Sequence, residues 1–71
     1  MTERITFRVL PQVELLEDGR YYPEAVVTAY QGPDPINEVT LYANHTTRWR
    51  SDAIALANEL VSEIRETICT R

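Results

Sequence analysis

The sequence has no lysine, a single cysteine, a single histidine, one tryptophan and two glycines among its 71 residues. Each scarcity removes a class of function. One Cys69 forms no intramolecular disulfide, and with His45 it supplies the only soft or imidazole ligands, without CxxC, HxxxH or HExxH spacing. No metal and no cofactor is therefore expected. The glycines, Gly19 and Gly32, each sit in a turn, so no glycine-rich loop is present to cradle a phosphate. Ser51, Ser62 and Cys69 lack a nucleophile context such as GxSxG, and His45 is the one candidate base. No catalytic residues are assigned, and the chain is read as a non-enzyme.

No run approaches the ~18 consecutive apolar residues of a membrane span, so no membrane association is expected. The polar start Met1-Thr2-Glu3-Arg4 carries no apolar signal region. Arginine throughout in place of lysine, on a short chain with one thiol, fits a cytoplasmic protein of bacterial type. Cys69 falls on the polar side of a helix, where a partly exposed free thiol is expected.

Seven arginines face eleven acids, for a net charge of −4 and a pI near 4.8. Broad binding to a phosphate backbone needs the opposite surplus, so nucleic acid is disfavoured as a general partner. The acids concentrate early, with three Arg against six acids through Asp34 and four Arg against five afterwards. A mass of 8.2 kDa allows a single domain over residues 1–71, whose small core makes self-association an expectation.

Period-two alternation runs through Ile5-Thr6-Phe7-Arg8-Val9-Leu10, with Ile5, Phe7 and Val9 on one face. Pro11 cannot donate to a ladder, so the continuation to Leu16 either bulges or lies on a sheet edge. Glu17-Asp18-Gly19-Arg20 reads as a hairpin turn. Tyr21 to Tyr30 is a second strand, with Ala25, Val27 and Ala29 small enough to let a helix approach. Gln31 to Asn37 concentrates turn formers and reads as a loop, and Asn37 to Asn44 as a third strand.

The period then changes. Ala53, Leu56, Ala57, Leu60, Val61, Ile64 and Ile68 recur every three or four residues, predicting a helix from about Asp52 to Ile68, with Ser51 as its N-cap. The expected fold is α+β, a three-stranded antiparallel meander followed by one C-terminal amphipathic helix on one sheet face (βββα). Thr6, Arg8, Val26, Thr28, Tyr30, Thr40 and Tyr42 would remain on the uncovered face.

Three groups of residues bear on function. Arg48, Trp49 and Arg50, ahead of a helix N-terminus, suit an anion or a nucleic acid, joined by Arg8 from the sheet. Trp49 alternatively closes one end of the core. Asp52, Glu59, Glu63 and Glu66 form an acidic helix stripe that suits a basic protein, and the solvated face of any surface helix looks the same. Tyr30 and Tyr42, on neighbouring strands of the open sheet face with Arg8 and Thr28 nearby, suit a protein partner or a homodimer surface, or simply stabilise the sheet, and base stacking is the alternative. No small-molecule substrate is indicated.

The element order resembles the AP2-type and integrase arm-type DNA-binding domains, which read DNA with the sheet. It is also similar to HicB-like antitoxin domains, through Glu17-Asp18-Gly19 and the helix start Ser51-Asp52-Ala53-Ile54-Ala55-Leu56-Ala57. The Arg-rich sheet of the first and the Pro-Gly turn after the second strand of the other are missing, so no site residue is carried over from either. The expected activity is protein interaction or regulation, most simply as a homodimer or with another protein. A nucleic-acid-binding βββα domain is the alternative.

Overall fold

The computed structural model describes residues 4–69; residues 1–3 of the polar start and the side chain of Cys69 lie outside that description. Three strands, β1 (Ile5–Leu15), β2 (Tyr21–Gln31) and β3 (Asp34–Tyr42), precede one helix, α1 (Arg50–Cys69). The sheet is antiparallel in the order β1-β2-β3, so the fold is the α+β meander with a C-terminal helix that the two periods predict.

The β1–β2 register is unbroken from Ile5 opposite Gln31 to Leu15 opposite Tyr21, so Pro11 causes no bulge. Its position explains this. The Gly32 N–H donates to the Arg4 carbonyl and the Leu16 N–H to the Arg20 carbonyl, which makes even-numbered β1 residues the ones bonded to β2. Pro11 therefore faces outward, where its missing N–H costs no ladder bond. The backbone groups of Val9 also point to the outer edge, although its side chain is in the core, and its carbonyl accepts a 2.9 Å hydrogen bond from Arg65 Nη2 of the helix. The β1 edge is thus closed to a further strand at two successive outward positions. Arg65→Met, which keeps the aliphatic stem, is expected to cost about 1 kcal/mol in a urea titration and to increase concentration-dependent association through the reopened edge.

Two prolines further along obey the same logic. Pro23 sits within the central strand, fully buried, yet β3 ends at Tyr42 and only the Ala43 N–H reaches across, to the Pro23 carbonyl at 3.0 Å. Pro35 lies in an edge strand. The predicted loop from Gln31 to Asn37 is accordingly shorter than its composition suggested: Gly32, at φ 59°, and Pro33 make the turn, and β3 begins at Asp34. The irregularity survives as a register shift beside Ala29 and Tyr30, with Ile36 as the extra residue.

Helix α1 packs on β1 and β2 and makes no comparable contact with β3. Its buried line is Ala53, Ala57 and Val61; Val61 clusters with Ala25 and Val9, and Val27, Leu60, Ile64 and Ile68 are partly buried against that cluster. The alanines let helix and sheet approach closely, as their placement predicts. The helix starts earlier than its apolar stripe. Thr47 and Tyr21 exchange backbone hydrogen bonds of 2.7 and 2.8 Å, pinning the incoming segment against β2, and the Trp49 carbonyl accepts the Ala53 N–H. The cap position therefore belongs to Trp49 and not to Ser51, which lies inside the first turn beside Asp52. No helix among the described residues is long and apolar enough to cross a membrane.

Candidate functional site

The basic group does not converge. Arg8 shares a register row with Thr28 and Glu38 on the sheet face away from the helix, with its guanidinium 5.8 Å from the centre of the Tyr30 ring, a cation–π contact. Arg50 lies on the other side of the sheet, beside Ile54, Pro11 and Val13. Trp49 is 67% exposed, between the exposed Arg48 and Arg50, so it closes no core. Its carbonyl is held by the Thr47 hydroxyl at 2.8 Å as well as by the helix. The ring projects outward because the bridge that anchors Thr47 and the first helical turn fix the backbone on either side of it.

The two tyrosines are likewise apart. Tyr30 lies opposite Pro35 at one end of β2, and Tyr42 lies opposite Glu24 towards the other. The ring that Tyr42 meets is Tyr22, with centroids 5.1 Å apart and planes tilted by 49°. The acidic residues sit on the helix, apart from Tyr30, whereas Tyr42 at the edge of the sheet borders the same groove as Glu59 and Glu63. Asp52, Glu59, Glu63 and Glu66 are all exposed, and Glu59 and Glu63 line a shallow groove of about 250 Å³ with Leu56, Leu60, Tyr42 and His45. The acidic stripe therefore borders the side of the helix that looks towards β3, while Arg50 and Arg65 border the β1 side.

One charged residue stands out only in three dimensions. Glu24 is 2% exposed, although no helix covers its face of the sheet. Gln12 and Tyr42 flank it across both neighbouring strands, and Gln12 Nε2 donates a 2.7 Å hydrogen bond to Glu24 Oε1. Loss of hydration raises its pKa above the usual carboxylate range; the bond from Gln12 works against this, and the nearby Glu14 carboxylate adds to it. Sequence reading passed over Glu24 because neither its cross-strand neighbours nor their side-chain cover can be read from one strand. The adjacent aromatic pair Tyr21-Tyr22 was the available hint.

Uncovered apolar residues lie on both edge strands, at Ile5, Phe7, Leu10 and Leu15 of β1 and at Ile36, Val39 and Leu41 of β3. Val39 and Leu41 point to the helix side of the sheet, yet the helix stops short of them, leaving them 46% and 40% exposed. Ile36 at the bulge is exposed as well. Among the described residues no three His, Cys, Asp or Glu side chains form a group able to hold a metal. Compared with protein families, with curated proteins and with solved structures, the chain matches none.

Proposed function

We propose that this chain is a small, non-catalytic interaction domain of the bacterial cytoplasm that works as a self-associated pair. The supporting observation is how little of the chain a lone copy hides. Among the described residues the buried apolar side chains besides Pro23 are Val9, Ala25, Ala53, Ala57 and Val61, three of them alanine, while ten large hydrophobic residues are exposed. A radius of gyration of 14.1 Å exceeds the ~11 Å of a compact chain of this length. The accessible surface of 5531 Å² exceeds the ~4,500 Å² of a typical folded monomer of this mass. The excess, about 1,000 Å², is of the size that one partner contributes to a standard protein interface, ~800 Å². Sedimentation equilibrium from micromolar to millimolar protein is expected to give a two-chain mass. A mass of 8.2 kDa across that range would refute the pairing.

The exposed Trp49 between Arg48 and Arg50 supports one second reading, a local contact with nucleic acid. Tryptophan fluorescence titrated with short single and double strands at low salt tests it. Saturable quenching that disappears with salt and in Arg48→Ala supports the contact, and an unchanged signal removes it.

A further inference from the structure

We propose that β3 is the edge on which a second copy docks, the two β3 strands pairing antiparallel about a twofold axis at Thr40. This rests on the self-association reading and names its surface and register. The starting observation is that the two sheet edges differ. On β1 the outward positions run Ile5, Phe7, Val9, Pro11, Val13 and Leu15, and the edge is interrupted at its middle, where Pro11 has no donor and Arg65 occupies the Val9 carbonyl. On β3, the bond from the Ala43 N–H to the Pro23 carbonyl and the unbroken register from Tyr42 back to Asn37 make odd-numbered residues the ones bonded to β2. The backbone groups of Glu38, Thr40 and Tyr42 therefore face outward, and the outward proline of this edge, Pro35, lies beyond the bulge and outside that stretch. The Glu38 N–H is met by its own Asn37 Oδ1 at 3.0 Å, a local bond that an incoming strand exchanges. A molecule with one open edge pairs once and stops, which selects a closed twofold dimer over a filament.

Side chains select the register. Centring on Thr40 sets Val39 of one copy opposite Leu41 of the other on the helix side, and Glu38 opposite Tyr42 on the far side. Every outward backbone group of the three positions then finds a partner. Centring on Glu38 would oppose like charges directly. Centring on Val39 would place Leu41 against Asn37, and centring on Leu41 would place Val39 against Ala43, each wasting apolar contact. The acidic stripes do not prevent the pairing. With the helices over β1 and β2, strand spacing separates their axes by about 20 Å, which leaves the facing stripes roughly 8–10 Å apart once the helix radius is taken off, about one Debye length in physiological salt, so their repulsion is weak and screened. Added salt should leave the association unchanged or tighten it, whereas a basic partner or a nucleic acid would be released.

The test uses the full chain carrying Cys69→Ser. Thr40→Cys is expected to form a disulfide-linked dimer under mild oxidation, because directly paired strand residues lie within disulfide reach. Val39→Cys, Leu41→Cys and Phe7→Cys should cross-link at least about tenfold more slowly, being offset from the axis or on the closed edge. Thr40→Pro removes an outward donor and no bond within the chain, so the helical circular dichroism should persist while dimer affinity falls at least about 100-fold. Should Thr40→Pro misfold, the cross-linking rates decide alone. A two-chain wild type whose Thr40→Cys fails to cross-link preferentially, or whose folded Thr40→Pro stays paired, overturns the β3 edge and leaves self-association standing. A wild type of one-chain mass overturns both.

Discussion

Replacing Ala57 with Leu is expected to destabilise the domain by about 3 kcal/mol, at the upper end of the cost of overpacking a buried position. Ala57 is fully buried on the line Ala53, Ala57 and Val61, where the helix meets β1 and β2. A leucine there adds three carbons to a fully buried position between helix and sheet and pushes the two apart. That would loosen Val9, Ala25 and Val61 together, since they form one cluster. A domain of this size holds only ~4–10 kcal/mol of net stability, so the loss is a large share of the total. Urea denaturation followed by circular dichroism measures it. Ala55→Leu on the exposed side of the same helix is the control, expected within about 0.5 kcal/mol of wild type. Equal midpoints for the two variants would mean that the helix does not seat on its alanines.

Glu24 makes stability depend on pH in an unusual direction for a carboxylate. Its folded-state pKa is raised, first by loss of hydration and then by Glu14, so the folded chain holds the proton more tightly than the unfolded chain. The resulting stabilisation is fully present below the unfolded-state pKa and is lost as pH rises through the folded value. Glu24→Gln keeps an oxygen that can accept from Gln12 Nε2 and removes the buried charge. The variant should match wild type at acidic pH, gain on it as pH rises past the usual carboxylate range, and hold the advantage at neutrality. Urea midpoints taken from pH 4 to pH 8 give the two profiles. Parallel profiles would show that Glu24 does not carry the titration. Glu14→Gln separates the contributions: it should recover a smaller part of the gain, because burial of Glu24 is the leading cause.

The two edges of the sheet illustrate how far sequence patterns reach. Pro11 pointed to an edge or a bulge in β1, because those are positions where a strand tolerates a missing donor, and the unbroken register selects the edge. Nothing comparable marks β3. Its Asp34-Pro35 start read as loop because proline-rich composition cannot distinguish a turn from an edge strand that faces its missing donor outward. Arg65 gave no sign of its bond to Val9, since the two positions are far apart in sequence and meet only through packing.

Local patterns did determine which residues become strands and which become helix. A period of two against a period of three or four is written into successive residues, and each follows from backbone geometry that needs no distant partner. The Asp18-Gly19 turn and the alanines reserved for close packing were legible for the same reason. The lateral position of the helix was not. Seating on β1 and β2, and not centrally over all three strands, follows from the packing of Val61 with Ala25 and Val9, contacts that are long-range in sequence. That choice alone leaves Val39 and Leu41 without cover. The cross-strand register likewise brought Gln12 and Tyr42 around Glu24 and separated Tyr30 from Tyr42, and the bridge between Tyr21 and Thr47 turned Trp49 out to solvent. The sequence by itself therefore determined the elements and their inward faces, whereas the tertiary structure decided which faces remained uncovered, because coverage depends on how whole elements seat against one another.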